Sequence, residues 1–321
     1  MAKPLTDLQL IRELEPVAEA GFNQHLASTK NWNPHDYVPW SEGTDYGALG
    51  GADWTPDQSG LSELARVAMI TNLLTEDNLP SYHRAIAEHF SLDDAWGAWV
   101  NRWTVEENRH GIALRDYLVV TRAVDPNALE LARIQQVTAG FSPGQQGQGS
   151  VRPESMLDAL VYVTFQELAT RVSHRNTGRV CEESIADQLL RRVAADENLH
   201  MIFYRGVAAA ALDLAPDAAM HSICRILVNF QMPGFSIPNF RRNAVKIAVG
   251  GIYDVRQHLD DVVLPVLRKW RIFEREDFSE IGLRRRDELA AFIERMESEA
   301  AKFEESKARY LERNAARRVK V

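Results

Sequence analysis

Two four-residue phrases, Glu107-Asn108-Arg109-His110 and Glu197-Asn198-Leu199-His200, each place a glutamate three residues before a histidine. On a helix of about 3.6 residues per turn, positions i and i+3 share a face, so each phrase aims a carboxylate and an imidazole in one direction. A single Glu-x-x-His usually means no more than solvated polar side chains. Of the nine histidines here, only His110 and His200 have a glutamate at that spacing, and both sit inside apolar seams. Steps of four and three give Trp96, Val100, Trp103, Glu107, His110, Leu114 and Tyr117 in one segment, and Ala186, Leu190, Val193, Glu197, His200, Tyr204 and Val207 in the other. The ionisable pairs therefore interrupt the stripe that faces partner helices. Carboxylates buried there cost several kcal/mol each unless something pairs with them.

Two further carboxylates follow the same logic. Glu76 ends the apolar run Ala65 to Leu74, and Glu167 closes Leu160 to Gln166; they precede Glu107 and Glu197 by 31 and 30 residues. The chain thus carries Glu, then Glu-x-x-His, twice, as expected for two helical hairpins related by a pseudo-twofold axis. Four-helix bundles that hold two metal ions use this ligand count. Four carboxylates and two neutral imidazoles make a hard, oxygen-rich set, suited to two iron ions or to manganese and poor for copper or structural zinc. Two divalent cations also balance four carboxylates, leaving a neutral core.

The elements that must position these residues are helical. Nearly every apolar pattern has helical period and no convincing alternating strand occurs, so the chain is expected to be all-α. Length alone would suggest about two domains, but no Pro/Gly linker or shift of composition divides residues 1–321, and a single helical domain is the better expectation. Ser142 to Ser150 reads as a flexible loop, ending before Val151, between the two hairpins. Asn31 to Gly60, rich in Trp, Pro, Gly and Asp, is expected to wrap the bundle as an ordered loop. No secretory segment and no apolar run long enough for a bilayer is evident, which points to the cytoplasm. Cys181 and Cys224 lack metal or disulfide spacing and read as buried thiols. The net charge of −8 argues against nucleic acid.

Four segments resemble the iron-site segments of the soluble acyl-[acyl-carrier-protein] desaturases, the type 2 fatty acid desaturases: Thr75-Glu-Asp-Asn-Leu-Pro80, Trp103-Thr-Val-Glu-Glu-Asn-Arg-His-Gly111, Phe165-Gln-Glu-Leu-Ala-Thr170 and Ala195-Asp-Glu-Asn-Leu-His200. The similarity runs from the first helix to at least Gln231-Met232-Pro233. Asn31-Trp-Asn-Pro-His-Asp-Tyr37 and Ser173-His-Arg-Asn-Thr-Gly178 are phrases shared in particular with mycobacterial and actinobacterial members. Plant members usually have Lys-Arg where this chain has Asn198-Leu199, a difference on the flank of the site.

The resemblance implies a ferritin-like di-iron carboxylate bundle with additional helices, assembled as a homodimer. Glu76, Glu107, His110, Glu167, Glu197 and His200 would be its metal ligands. It further implies removal of two hydrogens from adjacent methylenes of a carrier-bound acyl chain, with O2 leaving as water and ferredoxin supplying electrons. The setting would be fatty acid biosynthesis, mycolic acid precursors being one candidate product. Thr170 is similar in position to the family threonine on the O2 side of the metals, with an ordinary bond to its own helix carbonyl as the alternative. Asp196 with Trp32 looks like the electron route to His110. Trp103, Tyr82 and Met232 are candidates for the acyl pocket, against a plain core role.

Acyl-carrier proteins and ferredoxins are acidic, so docking on this acidic chain needs local cations. Arg241 and Arg242, with Lys246, are the favoured patch; Arg268, Lys269 and Arg271, and the run Lys307 to Lys320, are alternatives. The other seven histidines, His174 and His25 among them, are expected to make satisfied polar contacts. A hydroxylase, an iron-storage bundle and a scaffold without metal stay open as alternatives. A ribonucleotide reductase radical subunit would place a tyrosine where this chain has Leu114.

Overall fold

The computed structural model describes residues 5–140, 153–231, 237 and 239–318, and no strand occurs among them. Four helices carry the paired motifs: α2 (Glu63–Glu76), α4 (Asp94–Val120), α6 (Met156–Cys181) and α7 (Ser184–Leu214). Both expected seams are buried along their whole length, from Trp96 to Tyr117 in α4 and from Ala186 to Val207 in α7. The α6–α7 pair packs most extensively, α2 lies against α4 and α6, and α4 meets α7, so the four enclose a common core. The expected ferritin-like helical fold with additional helices is what the chain adopts.

Local chemistry sets where these helices begin. Ser62 accepts from Ala65 N at the start of α2, and Ser155 accepts from Asp158 N at the start of α6. Glu183 caps α7 by accepting from Ile185 N and Ala186 N, and Tyr117 of α4 donates to the same carboxylate at 2.7 Å. Two hairpins are thereby tied at their ends.

The remaining helices close the bundle. α1 (Asp7–Ser28) lies over α4 and α7. α3 (Leu79–His89) follows the two-residue break after Glu76, and α5 (Pro126–Ala139) returns along the first hairpin. α8 (Pro216–Val228) packs on the long α12 (Glu280–Arg318), and α9 (Phe240–Val249) on α2. Between them α10 (Val255–Gln257) widens into a π-helical turn, His258–Val263, before α11 (Leu264–Trp270). Pro265 supplies no N–H and crowds the carbonyl four residues earlier, which a wider turn relieves. The stretch Ser142 to Ser150, expected as a loop, lies outside the described residues.

Asn31 to Gly60 is ordered, as expected, through four short 3-10 turns and a set of polar ties to the end of α4. Tyr46 donates to Val119 O, Trp54 Nε1 to Arg122 O and Ser59 to Ala123 O. Arg122, buried and in the left-handed region at φ 50°, donates back to Thr44 Oγ1, Asp45 O, Ala52 O and Gln58 Oε1, with its guanidinium 4.1 Å from the Tyr46 ring centroid. One buried charge therefore ties four acceptors of the wrap together. Arg122→Ala is expected to cost about 2–3 kcal/mol, the worth of charged hydrogen bonds, and to admit protease between Thr44 and Gln58. Unchanged denaturation midpoint and cleavage pattern would show that the wrap is held elsewhere.

Candidate metal centre

The helical period brings the six sequence-identified side chains to one buried point. Glu76, Glu107, His110 and Glu197 offer donor atoms all within 4.8 Å of one another, and so do Glu107, Glu167, Glu197 and His200. Glu107 and Glu197 belong to both groups, one from each Glu-x-x-His helix. His110 Nδ1 lies 3.3 Å from Glu197 Oε1, 3.7 Å from Glu76 Oε2 and 3.8 Å from Glu107 Oε2. His200 Nδ1 lies 2.8 Å from Glu107 Oε1 and 3.4 Å from Glu167 Oε2.

Five of these inward atoms make no hydrogen bonds. His110 Nδ1, His200 Nδ1, Glu107 Oε1, Glu167 Oε2 and Glu197 Oε1 are all buried without a partner. Orphaned donors of this kind are costly, and five pointing into one centre fit cations rather than water-filled packing. The outward nitrogens are fixed: His110 Nε2 faces Asp196 Oδ2 at 3.4 Å, and His200 Nε2 faces Glu106 Oε2 at 2.9 Å. A carboxylate can only accept, so each Nε2 carries a proton and each Nδ1 is the atom that faces the centre, with a lone pair for a cation once its own proton leaves.

The crowding shows in the acid–base properties. Burial, and next the neighbouring Glu197, raises the Glu107 carboxyl to about 8. Glu167 is pushed well above the usual range by burial and by Glu107. Burial also opposes ionisation of Glu197, yet hydrogen bonding and charge from His110 hold it down at about 2. Both imidazoles move well up despite burial, with Asp196 foremost at His110 and Glu106 foremost at His200. Without cations, protons are left to neutralise the cluster.

The surroundings repeat the internal symmetry. Trp32 Nε1 donates to Asp196 Oδ2 at 2.7 Å and its ring stacks on His110 at 6.2 Å. Arg192 pairs with the other oxygen of Asp196. Sequence reasoning found this group but missed its counterpart, in which Glu106 accepts from His200 and from His25 Nε2, each at 2.9 Å. The signal for Glu106 was present, because it precedes Glu107 as Asp196 precedes Glu197. Each acid serves the imidazole of the opposite helix. Arg109 lies 3.3 Å from Asp196 and 3.8 Å from Glu106, with its guanidinium 4.8 Å from the Trp32 ring centroid.

The other expected residues fall as follows. Thr170 Oγ1 lies 3.1 Å from Gln166 O, 3.0 Å from Glu167 O and 3.1 Å from Glu197 Oε2, so its single proton has both the helix carbonyls and the centre within reach. Trp103 Nε1 donates to Glu167 Oε1 at 3.0 Å, tying its indole to the centre. Tyr82 is buried in α3, and burial with the fields of Tyr162, Glu76 and Glu107 raises its phenol well above the usual range. His174 makes the polar contact expected of it, 2.9 Å from Glu76 Oε1. Met232 lies outside the described residues. Arg241 and Arg242 are exposed on α9, away from the centre. Cys181 and Cys224 are buried free thiols. No described helix is long and apolar enough to cross a membrane.

Residues 6–321 match the family described as fatty acid desaturase. The chain is 63% identical over 321 residues, all of its length and 95% of the other's, to a Mycobacterium tuberculosis protein named as acyl-[acyl-carrier-protein] desaturase DesA1. It is 31% identical, over 91% of its length and 74% of the other's, to the chloroplastic acyl-[acyl-carrier-protein] desaturase 6 of Oryza sativa subsp. japonica. Its fold is similar to the X-ray structure of DesA2 from Mycobacterium tuberculosis H37Rv, with a TM-score of 0.70, 32% identity, and coverage of 86% of this chain and 98% of that one. With a family match across almost its whole length and a buried centre built from both halves, the chain belongs to the fatty acid desaturase family.

Proposed function

We propose that the protein desaturates a saturated acyl chain carried on acyl-carrier protein, using O2 and two iron ions held by Glu76, Glu107, His110, Glu167, Glu197 and His200. Manganese suits the same donors. The observation that carries this reading is the set of orphaned carboxylate and imidazole atoms converging from α4, α6 and α7, with Glu76 of α2 among the donors grouped beside them. Bound metals would supply the O2 activation that attack on an unactivated C–H bond requires. Two hydrogens from neighbouring methylenes, two electrons from a donor and two protons balance the reduction of O2 to two waters. Thr170, within reach of Glu197, is placed to hold a proton at that edge of the centre.

The electron donor in this reading is reduced ferredoxin. Its support is a groove of about 880 Å³ between α6 and α7, where Lys30, Arg171, Arg175, Arg191, Arg192 and Arg205 outnumber the acids of the lining, Asp260 and Asp261. Arg192 connects that groove to Asp196, which touches both Trp32 and His110. For the acyl carrier, α9 is the favoured face. Phe240, Ala244 and Ile247 of α9 line a cavity of about 110 Å³ that reaches Glu76, Thr170 and His174, while Arg241 and Arg242 lie on its exposed side. A single cytoplasmic domain working as a homodimer completes the reading. Exposed Val105 and Ile112 on α4, with Leu131, Ile134 and Val137 on α5, give a second copy apolar surface to cover.

Iron-loaded protein incubated with acyl-carrier proteins, reduced ferredoxin and O2 should yield acyl chains lacking two hydrogens by mass spectrometry. Addition of oxygen to the chain instead would assign a hydroxylase, and an unchanged chain with every carrier length would defeat the reading. Glu197→Ala and His200→Ala should each lose at least one metal and nearly all turnover, because the donor set has no spare; two metals retained in both variants would sink the ligand assignment. Since protons on Glu107, Glu167 and both imidazoles must leave when metals bind, apparent metal affinity should climb with pH through neutrality and beyond the Glu107 value of about 8. A pH-independent metal titration would contradict that protonation state. Reversing Arg241 and Arg242 to Glu should raise KM for the carrier-bound substrate about tenfold, steeply dependent on salt, with metal content intact. An unchanged KM would move the docking face to Arg268, Lys269 or the C-terminal run.

A further inference from the structure

The centre has one outer group that the desaturase reading leaves without a role. His25 stands on α1, a helix that supplies none of the six proposed ligands, yet its Nε2 reaches the same Glu106 oxygen as His200 Nε2, both at 2.9 Å. All three side chains are buried. The His25 ring stacks on His200 with centroids 5.8 Å apart and meets Trp99 edge-on at 5.1 Å.

We propose that His25 is a positioning residue for the His200 half of the centre, acting through Glu106. The inference rests on the dinuclear reading above. His25 stands to Glu106 as Trp32 stands to Asp196: a ring N–H from outside the four ligand helices fixes an outer carboxylate, and that carboxylate fixes the imidazole of the opposite helix. Glu106 has little else to hold that oxygen, because its other oxygen is engaged by Arg102 Nε at 2.6 Å. His25 also lines a cavity of about 240 Å³ with Gly21, Gln24, Leu199 and Phe203, so removing the imidazole opens a way for water to reach the carboxylate.

Two competing accounts fit less well. A third metal among His25, Glu106 and His200 would need lone pairs on both Nε2 atoms, whereas His200 Nδ1 is the atom left open toward the centre. It would also set a cation beside Arg102 and Arg109, which already neutralise Glu106. A histidine that merely fills space would not share an acceptor oxygen with an imidazole of the centre.

The test compares the parent with His25→Leu and His25→Gln, each loaded with Co(II). Leucine keeps bulk and removes the N–H; glutamine restores a donor at a similar reach. The readouts are metal per chain, the rate of loss to a chelator and the ligand-field spectrum. In His25→Leu one of two metals should leave roughly tenfold faster, in the range typical of outer-shell changes, with the spectrum of that half altered, and His25→Gln should return both toward the parent. Loss of both metals at parent rates, equal acceleration of both, or glutamine behaving as leucine would overturn the proposal. Should leucine prevent folding, His25→Phe, which keeps a ring against His200 and Trp99 and removes the N–H, gives the same reading; unchanged release there would equally overturn it. A parent that binds no metal defeats the dinuclear reading itself, a result distinct from a two-metal parent with an indifferent His25→Leu.

Discussion

Carboxylates and imidazoles buried together inside a helical bundle cannot all be satisfied by one another, and the rest of this structure is organised around that conflict. Removing such groups from water costs several kcal/mol for each ion. Proton sharing meets part of the cost: the Glu107 and Glu167 carboxyls are driven up by burial while Glu197 is held down by His110, so neighbouring acids divide protons among themselves. Five inward atoms still lack partners. Outside them charge alternates in shells, with Glu106 and Asp196 behind the imidazoles and Arg102, Arg109 and Arg192 behind those acids. The long α4 and α7 supply the rigidity that keeps such unsatisfied groups from escaping to solvent.

The repeat in the sequence becomes a repeat in hydrogen bonding. Each Glu-x-x-His helix offers its imidazole to the acid that precedes the Glu of the other, so neither helix can shift without disturbing both halves. The outer glutamates are matched as well: His174 Nε2 contacts Glu76 and Trp103 Nε1 donates to Glu167. Symmetry then breaks where it bears on reaction. Of the carboxylates Thr170 reaches that of Glu197, and the two outer acids are pinned by different rings, indole at Asp196 and imidazole at Glu106. Two halves with equal ligands thus acquire unequal surroundings.

What could be read from the sequence was what periodicity encodes. The seams of α4 and α7 with their Glu-x-x-His pairs follow from steps of three and four, because helix geometry converts spacing into direction, and Glu76 and Glu167 follow from the repeat of 31 and 30 residues. Glu106 was readable by the same rule once Asp196 had been noticed. His25 was not, since its contact with Glu106 joins positions 81 apart, and neither local spacing nor composition marks it. The role of Arg122 is hidden for the same reason: its partners lie 64 to 78 residues away in a segment with no regular period. The wrapping segment was legible as a composition but not as a set of bonds. The π-helical turn before Pro265 depends on how a helix absorbs a missing donor, which the proline announces without saying whether the helix will break or widen.

The overall acidity of the chain raises a difficulty for any acidic partner, and the burial pattern reduces it. The formal charge of −8 counts every carboxylate alike. Among the described residues seven acids are buried, six of them, Glu76, Glu106, Glu107, Glu167, Asp196 and Glu197, at or beside the centre, against one buried cation of the Lys/Arg type, Arg122. The field of those acids is compensated locally by imidazoles and guanidiniums, or by metal. The surface met from water is therefore less acidic than the composition implies by the charge that imidazoles or metal compensate inside. Grouping those acids at the centre, with Arg192 of the groove joined to Asp196, thus confines much of the acidity of the chain to its interior.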